Sequence, residues 1–115
     1  MRARQAAKNR LRLNRVRARI GAYELLNIVG RGGMAEAWLA RDPWGDEVVL
    51  KRLPQGRQHD KHLRACLQDE GRIARQLHHP AIVRLMDQFQ HGDEPILVYE
   101  YVRGMTLWRL CRRAQ

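Results

Sequence analysis

Residues 23–53 alternate between apolar and polar positions over short stretches, a pattern that predicts β-strands. The pattern supports three strands, at residues 23–29, 34–41 and 46–53. A glycine-rich turn at residues 30–33 separates the first two, and the turn signal Asp-Pro-Trp-Gly at residues 42–45 separates the second from the third. In the third strand, alternation places Val49, Lys51 and Leu53 on one face.

Residues 60–77 carry a helical period instead. One face of the predicted helix holds Leu63, Cys66, Leu67, Ile73, Ala74 and Leu77, and Glu70 falls in the middle of that face. An unpaired carboxylate is costly to bury, so Glu70 must lose its charge or find a cation. Lys51 is the candidate partner. The alternative is that Glu70 reaches the helix edge and Lys51 is an ordinary charge at a strand end.

Two further strands are predicted after this helix, at residues 82–91 and 96–102, with a turn at 92–95 between them. His78, His79 and Pro80 are interpreted as the end of the helix, and residues 105–115 as the start of a second one. The predicted order of elements is β-β-β-α-β-β-α, which comprises five strands and one complete helix.

The basic residues are concentrated at the start of the chain. The net charge is +10, from 22 basic and 12 acidic residues, and residues 1–20 hold 8 of the basic groups and no acid. We interpret residues 1–20 as a basic extension. It is either a solvated leader with a thin helical stripe (Leu13, Val16 and Ile20) or an arm that binds an anionic surface such as nucleic acid or lipid.

Composition also limits the class of protein and its compartment. The chain has 115 residues, enough for one domain or part of one. It contains no run of eighteen apolar residues and no apolar signal-peptide core. Cys66 and Cys111 lie far apart with no metal-ligand spacing, so we expect free thiols, no metal site and a cytoplasmic location.

The glycine-rich turn at residues 30–33 is the main candidate for chemistry. Glycines let a backbone approach a ligand closely and direct N–H groups toward phosphate oxygens. The turn opens into a strand, whereas the Rossmann and Walker A motifs both need a helix at that point. A glycine-rich hairpin over phosphates, with Lys51 on the next strand, is the alternative geometry.

These features together resemble the N-terminal lobe of a protein kinase, most of all the bacterial Ser/Thr kinases of eukaryotic type. Four segments match in order: residues 28–36 (IVGRGGMAE) the glycine loop, 48–51 (VVLK) the third-strand lysine, 79–85 (HPAIVRL) the segment after the helix, and 96–107 (ILVYEYVRGMTL) the hinge. The resemblance covers residues 23–110. It implies an α+β fold in which a five-stranded antiparallel sheet packs against one main helix. It divides the chain into the extension 1–20, the lobe 21–104 and the start of a further helix at 105–115.

The resemblance also implies roles in binding ATP. The phosphates would lie under Gly30, Gly32, Gly33 and Ala35, and would contact Lys51, which pairs with Glu70. The adenine ring would lie between Val29, Ala37, Val49 and Leu107. The Glu100 carbonyl and the Val102 N–H would hydrogen-bond its edge, and Tyr99 would occupy the gatekeeper position.

The chain departs from the family pattern at several positions. Ala35 replaces the third loop glycine, Ala37 the usual valine above adenine, and Val49 the usual alanine, while Tyr99 is large for a gatekeeper. The 115 residues contain no His-Arg-Asp, Asp-Phe-Gly or Ala-Pro-Glu segment. The ligands of Mg²⁺ and the group that positions the acceptor hydroxyl belong to those segments.

Three hypotheses follow from this. The chain is the ATP-binding lobe of a Ser/Thr kinase whose catalytic segments lie elsewhere, or a pseudokinase-like regulatory module that captures a partner, or, ranked last, a binder that acts through its basic extension. In the first two, the cleft face would be open and would need a C-terminal lobe or a protein partner to cover it. We therefore expect an exposed apolar patch there, with Trp108 and Leu110 as further candidates.

Overall fold

The computed structural model describes residues 16–76 and 83–102. Within these ranges lie one helix, α1 (Lys61–Ala74), and six strands: β1 (Ala18–Ile20), β2 (Tyr23–Arg31), β3 (Glu36–Arg41), β4 (Glu47–Arg52), β5 (Leu85–His91) and β6 (Glu94–Glu100). The strands form one antiparallel sheet in the order β1-β2-β3-β4-β6-β5. This confirms the predicted α+β class, with a packed antiparallel sheet and one main helix.

The sheet has six strands where five were predicted, and the additional one is β1. It pairs with β2 through Ala18↔Leu25 and Ile20↔Tyr23, and Ile20 is buried. A three-residue strand inside an Arg-rich run has too few positions to show alternation, so only its pairing with β2 reveals it. Residues 18–20, predicted to belong to the extension, are therefore part of the sheet. The division of the chain into three segments otherwise stays a prediction.

The predicted turns lie close to their expected positions. Asp42 Oδ1 accepts hydrogen bonds from the N–H groups of Trp44 (2.9 Å) and Asp46 (2.8 Å). Gly45 has a φ of 87°, a conformation that a residue with a side chain rarely adopts, so this turn requires glycine. A second turn at residues 92–93 joins β5 to β6, so that β6 begins two residues earlier than the alternation suggested.

The two faces of the sheet carry separate hydrophobic clusters. Val49 and Leu53 belong to an inner cluster, which also contains the buried side chains of α1. Val48 and Leu50 belong to an outer cluster with Ile20. This confirms the alternation predicted for β4 and places α1 over the inner face.

The helix begins at an N-cap, Asp60, whose side chain accepts a hydrogen bond from Leu63 N–H at 3.0 Å. Its buried positions are Leu63, Leu67, Gly71 and Ala74. Ile73, which the periodicity placed on the buried face, is 54% exposed. At 100° per residue, Ile73 lies about 115° from the centre of the buried stripe, outside the sector that the sheet covers.

Several predictions fall outside the described residues. They are the end of the helix at residues 77–80, the second helix at 105–115, and the side chains of Leu107, Trp108 and Leu110. Most of the basic extension, residues 1–15, also lies outside.

Candidate functional site

The glycine-rich segment forms the tip of the β2–β3 hairpin. Gly30 pairs with Ala37 near the end of the ladder, and Gly32 N–H donates to the Ala35 carbonyl at 2.9 Å to close the turn. The tip therefore lies about two residues later than residues 30–33, because Gly30 is still within β2.

Gly33 at this tip has no structural need to be glycine. Its φ is outside the left-handed region, and a Cβ placed on it would meet no atom within 4 Å. Neither backbone strain nor a neighbouring side chain of the protein therefore explains the missing side chain.

Lys51 and Glu70 form an ion pair between β4 and α1. The Lys51 ammonium donates to both carboxylate oxygens of Glu70, each at 3.0 Å. The Lys51 side chain has no exposed surface, and that of Glu70 is 8% exposed. The pairing predicted from the carboxylate on the apolar helix face is therefore confirmed, and the alternative of two separate surface charges is wrong.

Tyr99 contacts both members of this pair. Its hydroxyl donates to Glu70 Oε2 at 2.5 Å, and the Lys51 ammonium lies 5.7 Å from the centroid of its ring. Tyr99 pairs with Val49 across the β4–β6 ladder and Lys51 pairs with Leu97, so the two side chains are diagonal neighbours on the inner face. The gatekeeper position of Tyr99 stays a prediction. Its bond to Glu70 was not predicted, because no periodicity shows which helix residue a strand hydroxyl reaches.

The apolar residues assigned to the cleft differ in exposure. Ala35, Ala37 and Val49 are fully buried in the inner cluster, whereas Val102 is 42% exposed and Val29 is half-buried. The expectation of an open apolar patch is therefore wrong for Ala37 and Val49. Both side chains belong to the buried inner cluster and so contribute to the core.

Glu100, at the end of β6, is held by the segment before β5. Its N–H donates to the Arg84 carbonyl at 3.0 Å, and Arg84 N–H donates to Glu100 Oε1 at 3.2 Å. These two hydrogen bonds fix the end of β6, from which the chain continues into the predicted hinge. Leu107, assigned to the adenine site, lies outside the described residues.

A second buried carboxylate network, on the outer side of the sheet, was not predicted. Arg52 binds Glu94 with two hydrogen bonds, at 3.0 and 2.7 Å, and so ties β4 to β6. Glu36 accepts bonds from Trp38 Nε1 (3.2 Å) and Gln55 N–H (3.1 Å). Alternation places Arg52 and Glu36 on the face opposite Lys51, but partners distant in sequence cannot be read from it.

Neither metal ligation nor a membrane span is found in the part of the chain that the structure describes. No three His, Cys, Asp or Glu side chains there lie close enough to hold a metal ion. No helix in residues 16–76 or 83–102 has the length and apolar character needed to cross a bilayer.

A glycine-rich hairpin between β2 and β3, a lysine on β4 and a helix glutamate bonded to that lysine are features of the N-terminal lobe of a protein kinase, and the comparisons with known proteins agree. The protein kinase domain family matches residues 23–115, and the chain belongs to this family.

Two bacterial relatives are similar in sequence. The chain is 39% identical over 88 residues to the serine/threonine-protein kinase PrkC of Bacillus subtilis, covering 76% of this chain and 14% of that protein. It is also 39% identical over 95 residues to a probable serine/threonine-protein kinase of Streptomyces coelicolor, covering 78% of this chain and 14% of the relative. The chain thus spans about one seventh of the curated relatives that it matches.

Among solved structures, the kinase domain of Mycobacterium tuberculosis PknI aligns with a TM-score of 0.59 and 25% identity. The alignment covers 76% of this chain and 36% of the PknI chain. The resemblance to the N-terminal lobe of a bacterial Ser/Thr kinase, identified from the four motifs, is thereby confirmed.

Proposed function

We propose that this chain binds ATP between the β2–β3 hairpin tip and the inner face of the sheet, as the nucleotide-binding lobe of a Ser/Thr protein kinase. The observation that carries the proposal is the buried Lys51–Glu70 pair, with both oxygens at 3.0 Å from the ammonium. A buried ion pair is seldom a net gain in stability over apolar residues, so its presence on an otherwise apolar face favours a role in binding.

Each part of the proposed site has a distinct task. The backbone at Gly30, Gly32, Gly33 and Ala35 covers the phosphates, and the bare Gly33 leaves room for their close approach. Lys51 supplies positive charge to the α- and β-phosphates, and Glu70 holds the ammonium in place. Val29, Ala37, Val49 and Leu107 enclose the adenine ring. The Glu100 carbonyl and the Val102 N–H bond its edge, and Tyr99 closes the space behind it.

Binding requires a rearrangement, because the side chains of Lys51, Ala37 and Val49 are all fully buried. Phosphate oxygens reach the ammonium only when the residues that cover it move. We assign this movement to the hairpin tip at Gly33, where an added Cβ would meet no atom within 4 Å.

Transfer of the phosphoryl group needs more than this lobe. The family uses ATP with Mg²⁺, and the segments that hold the metal and position the acceptor hydroxyl are not in the 115 residues. We infer that transfer to protein hydroxyls takes place only when a C-terminal lobe completes the cleft.

Thermal stability in the presence of nucleotide tests the proposal. A ligand that binds only the folded chain stabilises it by about 2.7 kcal/mol at one hundred times its Kd. We expect Mg-ATP to raise the Tm of the chain, and Lys51→Ala to abolish the increase. Lys61→Ala is the matched control, because Lys61 is an exposed lysine on α1 outside the site and its loss should leave the increase unchanged. The proposal is wrong if millimolar Mg-ATP leaves the Tm of the parent chain unchanged.

A further inference from the structure

Glu70 receives hydrogen bonds from two elements of the sheet. The Lys51 ammonium on β4 donates to both of its oxygens, and the Tyr99 hydroxyl on β6 donates to Oε2. One carboxylate on α1 is thus bonded simultaneously to two neighbouring strands.

Tyr99 is placed to act on the position of this carboxylate. Its side chain is fully buried in the inner cluster together with Leu67 and Ala74 of α1, so the ring has little freedom to turn away. A hydroxyl on a fixed ring, bonded to an ionised acceptor, restricts where that acceptor can lie. Its ring face also lies next to the Lys51 ammonium, at 5.7 Å, so that the same side chain contacts both charges.

We propose that Tyr99 is a positioning residue: its hydroxyl holds the Glu70 carboxylate toward Lys51, and so keeps α1 seated against the sheet whether or not nucleotide is bound. Phenylalanine, methionine or threonine at this position could fill part of the same space. None of them carries a hydroxyl where the tyrosine hydroxyl lies, so none could donate the same hydrogen bond to the carboxylate. The proposal rests on the proposed ATP site, since it concerns how Lys51 is presented to phosphate.

The first test is a comparison of Tyr99→Phe in two backgrounds. In the parent chain, we expect loss of the hydroxyl to lower the folding equilibrium constant about tenfold, the lower end for a bond to a charged group. In the Lys51→Met/Glu70→Leu background the carboxylate is absent, so the same substitution should have a clearly smaller effect. Equal effects in both backgrounds would mean that Tyr99 contributes packing alone, and would overturn the proposal.

Tyr23→Phe is the matched control. The Tyr23 hydroxyl also donates to a carboxylate, that of Asp87 at 3.0 Å, but at the protein surface. We expect its loss to have a smaller effect than that of Tyr99→Phe and to be the same in both backgrounds. Dependence of the Tyr23 effect on the background would show that the comparison reports general loosening of the fold, which would count against a specific role for Tyr99.

The second test measures nucleotide affinity by calorimetry. Tyr99→Phe should raise the Kd for Mg-ATP about tenfold, because the hydroxyl no longer fixes the Glu70 carboxylate that holds Lys51. If the parent chain binds and Tyr99→Phe binds equally well, the positioning role is wrong and the proposed function stands. If the parent chain does not bind, the proposed function falls, and the folding comparison alone then decides whether Tyr99 positions Glu70.

Discussion

Removing one partner of the Lys51–Glu70 pair should destabilise the chain unequally, depending on which partner is lost. Glu70→Leu leaves the ammonium, which has no exposed surface, without its carboxylate, and also removes the acceptor of the Tyr99 hydroxyl. Lys51→Met leaves a carboxylate that is 8% exposed and still bonded to Tyr99. We therefore expect Glu70→Leu to be the more harmful substitution.

The loss of stability has an upper limit in each case, because a buried group that has lost its ion-pair partner can give up its charge. From ordinary solution pKa values, neutralising an ammonium at pH 7 costs about 4.6 kcal/mol, and neutralising a carboxylate about 3.7 kcal/mol. Measured losses for breaking buried pairs are roughly 3–5 kcal/mol. We expect a loss of about 4 kcal/mol for Glu70→Leu and about 2 kcal/mol for Lys51→Met, which keeps the Tyr99 bond.

The assay is urea denaturation at pH 7, followed by circular dichroism, of the parent chain, both single variants and Lys51→Met/Glu70→Leu. Because the double variant no longer strands a charge, it should be more stable than Glu70→Leu alone by about 2 kcal/mol. If the double variant is no more stable than Glu70→Leu, or if both single variants lie within about 0.5 kcal/mol of the parent, the pair is not buried as described.

Three further predictions concern the framework around the site. Burial and the bond to Asp87 raise the pKa of Tyr23 to about 12. The stabilising effect of the protonated Tyr23 hydroxyl should therefore be complete below pH 10 and be lost as the pH rises toward 12. In urea denaturation, Tyr23→Phe should lose less stability than the parent across that pH window. The bond from Leu63 N–H and, to a smaller extent, the Arg57 guanidinium lower the pKa of Asp60. The Asp60 cap should therefore stabilise α1 fully above pH 3.8, the ordinary pKa, and weaken as the pH falls through the lowered pKa. At neutral pH, Asp60→Ala should lower the Tm, whereas Asp60→Asn should keep the Tm close to that of the parent. Gly71→Ala gains about 1 kcal/mol of helix propensity, but the added Cβ would lie 2.5 Å from Gln88 Nε2. The increase in the free energy of unfolding should therefore be larger in a Gln88→Ala background than in the parent. An equal increase in both backgrounds would show that the Gln88 side chain moves aside freely.

The local elements could be predicted because their signals are local. Alternation in β4 depends only on the two-residue period of a strand, so the face that carries Lys51 could be assigned in advance. The turn at Asp42 and Gly45 could be predicted because both residue types favour that backbone conformation directly.

The Lys51–Glu70 pair could be predicted for a different reason. A carboxylate within an apolar helix face must find a partner, and the inner face of the predicted strand offered one cation. The free-energy cost of burying an unpaired charge therefore predicted a contact between two residues that are distant in the sequence. The roles of the pair and of the hairpin in ATP binding came from the resemblance and stay proposals.

Other features depended on how the chain folds back on itself. Residues 18–20 form β1 because they pair with β2, and the Arg-rich sequence around them carries no pattern that predicts this pairing. Ile73 is exposed because the sheet covers one sector of α1 and stops short of it, although the helical period alone placed it with the apolar face.

The amino-acid pattern therefore settled α1 and five of the six strands in the described residues, the faces of β4 and the need for a Lys51–Glu70 contact, since each follows from short periodicity or from the cost of a buried charge. The tertiary structure alone decided the hydrogen bond from the Tyr99 hydroxyl to Glu70 and the burial of Ala37 and Val49 in the inner cluster. Those depend on the distance and angle at which the helix crosses the sheet, and packing of the whole inner cluster sets these values.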